Sequence, residues 1–140
     1  MHAFSIPLRV YIEDTDAGGI VYYVNYLKYM ERSRTEFLRS LGYHRPAILD
    51  GGLLLVVHSA QINYRRSARL DDQLQVTAQI ARLARTNVEF KQQVLRGSEL
   101  LCEGLIRIAC VDATSMKPIA IPADMHLQLD HFFHRQTEKS

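Results

Sequence analysis

Two carboxylates in the run Asp14-Thr15-Asp16 stand directly ahead of Gly18 and Gly19 and a hydrophobic stretch, Ile20 to Val24. Asn25, a residue type favoured at helix N-caps, then opens a segment of helical periodicity. A helix N-terminus carries unpaired N–H donors and the positive end of the helix dipole. Such donors polarise a carbonyl and hold the oxyanion that develops during acyl transfer. A carboxylate beside them attacks the carbonyl or activates a water against it. A plainer reading is the more frequent one on position alone: acidic residues there form turns and cap the helix.

Other reactive side chains are scattered. His58 lies within an apolar strand-like run, where it is either a base or, more commonly, a core histidine with its ring satisfied. His131 and His134 fall one helical turn apart, and two imidazoles alone make a poor metal site. Cys102 and Cys110 sit on one predicted strand, ~26 Å apart at ~3.3 Å per residue, far beyond disulfide reach. They read as reduced core residues. The chain has no Gly-x-Ser-x-Gly elbow, no phosphate loop, no dinucleotide fingerprint and no zinc-type Cys or His pairing. No metal or cofactor is expected.

These residues need elements to position them. Phe4, Ile6, Leu8, Val10 and Ile12 alternate with polar residues, which predicts a half-buried strand. From Tyr26 to Leu41 the period becomes helical, with Leu27, Met30, Phe37, Leu38 and Leu41 on one side and Lys28, Arg32, Glu36 and Arg39 opposite. Gly42 follows where a helix commonly ends. Strands are then predicted at Leu53–Tyr64, around Leu74–Ile80, around Val88–Val94 and from Leu100 to Cys110, with Gly97-Ser98 as a hairpin turn. The tail after Pro122 reads as a short helix through Phe132 and Phe133. This order predicts an α+β domain, a five-stranded antiparallel sheet wrapped around one long central helix, spanning residues 1–140. Both outer sheet edges are left unpaired, so a homodimer or higher homo-oligomer is expected.

The 140 residues, 47% hydrophobic and 23% charged, describe an ordinary globular chain. No apolar run reaches the ~18 residues of a membrane span, and no secretory signal is apparent, which predicts a cytoplasmic protein. A net charge of +2 gives no ground for nucleic-acid binding. The cations are skewed, thirteen Arg against four Lys, which suits bidentate contact with phosphate or carboxylate. Ion pairs lacing the surface are the plainer explanation.

The run Tyr11-Ile12-Glu13-Asp14-Thr15-Asp16-Ala17-Gly18-Gly19-Ile20-Val21-Tyr22-Tyr23-Val24-Asn25-Tyr26, continued by Met30-Glu31-Arg32-Ser33-Arg34-Thr35-Glu36, resembles the signature of hotdog-fold thioesterases. More narrowly it is similar to the 4-hydroxybenzoyl-CoA thioesterase family and its YbgC-like branch, associated with the Tol-Pal system. Asn63 to Asp72 and Val111-Asp112 to Met116-Lys117-Pro118 match as well, so the resemblance covers nearly the whole chain. It implies a hotdog fold and hydrolysis of acyl-CoA thioesters. Asp16 falls on the family's catalytic carboxylate, and the backbone N–H near Tyr23 on the group that polarises the thioester carbonyl. YbgC-like members often carry His where this chain has Tyr23; a backbone donor survives that substitution. Another hotdog branch uses a helical Glu, which makes Glu31 a secondary candidate, or else a structural partner of an Arg. Arg65, Arg66, Arg69 and Arg85, in or beside turns, are candidates for the CoA phosphates, against rim ion pairs with Asp71, Asp72 or Glu89. A homodimer or homotetramer is implied, and an acyl carrier protein is an alternative source of the thioester. A non-catalytic acyl-CoA binder is the alternative from another class.

Overall fold

A computed structural model describes residues 4–138. The strands are β1 (Phe4–Arg9), β2 (Ile48–Leu49), β3 (Leu53–Tyr64), β4 (Gln73–Leu83), β5 (Asn87–Arg96) and β6 (Glu99–Asp112). The helices are α1 (Asn25–Ser40) and α2 (Ala123–Glu138), and Ile12–Asp14 form a single 3-10 turn. One antiparallel sheet runs in the order β1-β4-β5-β6-β3-β2. The expected α+β arrangement of an antiparallel sheet around a central helix holds. Five strands and one long helix do not: the sheet has six strands and there are two helices of 16 residues each.

The period-two pattern decides the sheet. Leu74, Val76, Ala78 and Ile80 of β4 and Val88, Phe90, Gln92 and Val94 of β5 are all buried toward α1. The opposite face carries cross-strand ion pairs such as Arg107–Glu89 at 2.7 Å. Gly97, with φ of 61°, starts the β5–β6 hairpin as a type II′ turn requires. Gly104 of β6 lies under α1: an added Cβ would stand 2.7 Å from Ile62 Cδ1 and 3.1 Å from Met30 Sδ. The missing side chain lets the helix settle onto the sheet.

α1 buries Tyr26, Tyr29, Met30, Ser33, Phe37 and Leu38. Leu27, assigned to that face from its spacing, is on the surface, and Ile12 leaves the strand for the exposed 3-10 turn. Polar pins fix the helix. Ser33 Oγ donates to Val76 O at 2.8 Å, and Gln92 Nε2 donates to Met30 O at 2.9 Å and to Thr77 O at 3.0 Å. α2 is longer than its sequence suggests because it finds an apolar seat beside α1, with Met125 and Leu129 buried and Phe132 4.7 Å from the Phe37 ring. At its far end Gln136 Oε1 accepts from Ile80 N at 3.2 Å, and Gln136 Nε2 donates to Ile80 O at 2.5 Å. No helix among the described residues is long and apolar enough to cross a membrane.

Candidate active site

The segment between β1 and α1 is held by its own backbone. Asp14 Oδ2 accepts from Tyr11 N at 2.9 Å, and the Asp14 carbonyl accepts from Tyr22 N at 2.9 Å and Asn25 Nδ2 at 3.0 Å. Asn25 is therefore not the N-cap. It is the first residue of the helix, buried, and Val24 caps without a side-chain bond. The Asn25 amide ties the helix start to the loop instead.

The two aspartates have different work. Asp14 is committed to the turn. Asp16 accepts only one side-chain hydrogen bond, from Gly18 N to Oδ1 at 2.8 Å, and Oδ2 has no partner among the described residues. Gly19, at φ of 78°, closes the loop by donating to Asp16 O at 3.0 Å.

Asp16 lines a cleft of about 350 Å³ together with Tyr22, Tyr23, Tyr26, Tyr64, Arg65 and Arg66. The backbone N–H groups of Tyr23 and Val24, at the entrance to α1, have no acceptor among the described residues. The cleft is thus lined by an exposed carboxylate and, at Tyr23, a residue whose backbone amide is uncommitted at a helix N-terminus, a pairing suited to acyl transfer. Its wall is aromatic. Tyr22–Tyr23, Tyr23–Tyr64 and Tyr26–Tyr64 rings lie 5.0, 5.9 and 5.6 Å apart. Burial raises the hydroxyl pKa of both Tyr26 and Tyr64, so neither is a ready source of phenolate. Tyr26 Oη accepts from Ala68 N at 2.9 Å and anchors the loop that follows Arg65 and Arg66.

The phosphate candidates separate. Arg65 and Arg66 are in the cleft, the first paired with Glu103 and the second with Glu99 at 3.2 Å. Arg69 is exposed beyond the cleft lining, its residue bridged to Ile20 by backbone. Arg85 lines a different cleft, with His126 and Asp130 of α2. His58 is exposed at the β3 bulge between Val57 and Ser59, so the core reading of this residue fails. Glu31 is exposed on α1 and lines a third cleft. Within one chain neither reaches the Asp16 cleft.

Arg96, which was not singled out from sequence, braces the loop. Its Nη1 lies 2.7 Å from Asp72 Oδ2 and its Nη2 2.8 Å from Glu99 Oε1. Burial alone would raise the Asp72 pKa. The Arg69 N–H and the Arg96 guanidinium outweigh it and hold Asp72 below its ordinary 3.8. A depressed carboxyl stabilises the fold fully above pH 3.8, and that contribution is lost as pH falls through the folded value. Urea midpoints of parent and Asp72→Asn should therefore converge as pH drops below 3.8. A gap as wide at pH 3 as at pH 7 would remove Asp72 from the acid response.

The thioesterase-like superfamily profile matches residues 10–129. The acyl-CoA thioesterase YbgC of Haemophilus influenzae is 39% identical over 131 residues, covering 93% of this chain and 96% of that protein. The crystal structure of a probable thioesterase from Bartonella henselae, 34% identical, superposes with a TM-score of 0.76 over 86% of this chain and all of that one. A DHNA-CoA thioesterase from Staphylococcus aureus shares the fold with a TM-score of 0.88 over 97% of this chain and 94% of its own, at 20% identity. With the sheet curled on its helix, the Asp16 loop at the helix entrance and a profile match across most of its length, the chain belongs to the thioesterase-like superfamily.

Proposed function

We infer that the protein hydrolyses acyl-CoA thioesters to the free acid and CoA, as a single domain in the cytoplasm. The observation that carries the reading is the Asp16 carboxylate, with one oxygen uncommitted, in a cleft also lined by Tyr23, whose amide is free at the α1 entrance. Asp16 attacks the thioester carbonyl or activates a water against it. The backbone N–H of Tyr23 receives the oxyanion, strengthened by the helix dipole. The leaving thiolate has a conjugate-acid pKa near the ~8.5 of free cysteine, so it departs without a strong general acid. That fits a cleft in which burial raises the hydroxyl pKa of Tyr26 and Tyr64.

In this reading Arg65 and Arg66 receive the CoA phosphates, exchanging carboxylate partners for the ligand. Such exposed pairs are worth only ~0–1 kcal/mol and yield readily. The YbgC proteins named as acyl-CoA thioesterases support CoA as the handle. The test is CoA release from a panel of acyl-CoA esters beside acyl-carrier-protein thioesters of the same acyl groups. Turnover confined to the carrier protein would reassign the handle. Binding of acyl-CoA without release of CoA would end the enzymatic reading.

A further inference from the structure

The cleft that Glu31 lines, of about 300 Å³, opens where α1, β3 and α2 meet. It shares no lining residue with the Asp16 cleft. Its walls are mostly apolar, with Leu38, Phe90, Ile108 and Met125 among them, and its polar groups include Glu31 and Arg34. Arg34 is unusual for an arginine, being only 8% exposed. Its Nη1 donates to Gln92 Oε1, a neutral acceptor, at 2.9 Å. No carboxylate among the described residues comes within 4.0 Å of it.

A buried guanidinium without a counter-ion is costly unless something balances it. Burial lowers its pKa to about 10, still well above neutrality, while Glu31 opposes the shift from a distance. Among the described residues, the one fully buried side-chain polar atom that lacks a partner is the Tyr29 hydroxyl. The other N–H groups of Arg34 have no acceptor among the described residues, yet they are not sealed from solvent, and Arg34 lines this cleft.

We propose that this cleft binds a carboxylate carried on an apolar body, with the Arg34 guanidinium taking the carboxylate and the apolar walls the chain or ring. Arginine's planar fork suits bidentate pairing with a carboxylate, and the low local dielectric strengthens it. The volume is at the small end of the ~300–1,000 Å³ of ligand sites. Two sources present this chemistry. One is a free carboxylic acid, the class of molecule that thioester hydrolysis releases. The other is the far end of an acyl group bearing a terminal carboxylate, which rests on the thioesterase reading. Arg34 lies nine residues past Asn25, about 14 Å along the helix at ~1.5 Å per residue, so only a long acyl group from the α1 entrance reaches it.

Calorimetric titration of the full chain with octanoate and with 1-octanol tests the shared chemistry, since the two differ in charge and not in body. Octanoate should bind about tenfold more tightly, as a charge-assisted pair allows. Arg34→Met should bring the two within about twofold, and Arg34→Lys should keep part of the preference. Ala47→Trp, filling the cleft from an exposed loop, should weaken both ligands and serves should the Arg34 variants fail to fold. Asp16→Asn should leave octanoate binding unchanged, so a failed catalytic assignment is distinguishable from a failed cleft.

The sources separate kinetically. A roughly tenfold preference in kcat/KM for dodecanedioyl-CoA over dodecanoyl-CoA, lost in Arg34→Met, assigns the acyl terminus. Tight octanoate binding without that preference assigns the free acid. Equal binding of octanoate and octanol by the parent, or octanoate affinity untouched by Ala47→Trp, would overturn the site.

Discussion

Asp16→Asn should lower kcat by about 10² to 10⁴, the usual worth of a positioned acid–base or nucleophilic carboxylate. That corresponds to ~3–5.5 kcal/mol of lost transition-state stabilisation, with KM changing far less. The structure makes the substitution a clean one. Asp16 Oδ1 receives the Gly18 N–H at 2.8 Å, and the amide oxygen of Asn accepts the same bond. The loop should therefore keep its shape, and the urea midpoint should stay near the parent's. A residue that only held the turn would behave in the opposite way, with stability reduced and kcat close to normal. Retention of more than about a tenth of parental kcat would end the assignment, well short of the loss such a group carries. Single turnover in ¹⁸O-water divides the two roles. Label found in the Asp16 carboxylate marks a nucleophile, and label found first in the product acid marks a base.

The second large effect concerns β3. β2 covers that strand only at Leu53 and Leu54, and beyond them Val57 to Tyr64 pair with β6 alone. This open edge ends at Tyr64 and Arg65, in the wall of the Asp16 cleft. We expect a second copy to pair along it, so that the protein sediments near twice 16.1 kDa and the cleft is completed by the partner's strand. In an isologous strand pair, added charges meet their own copies across the axis. Ser59→Glu with Ala60→Glu should therefore yield a folded monomer. Its kcat/KM should fall about 10²-fold, the scale of a misplaced catalytic frame. A monomeric variant that stays fully active would show that one chain carries the whole site. Dimers associating further into tetramers would appear in the same sedimentation run.

β4 and β5 were legible because Leu74 to Ile80 alternate without interruption and Val88, Phe90 and Val94 keep the same period around Gln92. The Asp16 loop was legible for another reason, since it is one continuous run of residues. What escaped reading was long-range. Tyr26 and Tyr64 form one aromatic wall 38 positions apart, brought together by the pairing of β3 with β6 and the seating of α1 on that sheet. The four tyrosines at 22, 23, 26 and 64, the last directly before Arg65-Arg66, were the available signal. Arg34 was hidden because hydrophobic periodicity assigns any arginine to the outside, whereas this one is held inside by Gln92. Asn25 has the chemistry of a cap but uses it to hold the Asp14 carbonyl. β2, at two residues, is too short to have a period. α2 was underestimated because its apolar positions make sense only against β4 and the Phe37 ring of α1.

The Gln136 contact limits which edge of the sheet another copy could join. Phe4, the first described residue of β1, lies opposite Ala78, and two residues further along β4 the Ile80 peptide is bonded by a carboxamide that imitates a neighbouring strand. β1 itself carries Pro7, which offers no N–H to a newcomer. One flank of the sheet is thus blunted and the other, along β3, is open. A sheet with two adhesive flanks would add copies at both ends and grow as a filament. This one has a single open flank, so a pairing through it would use the flank up and leave a closed assembly.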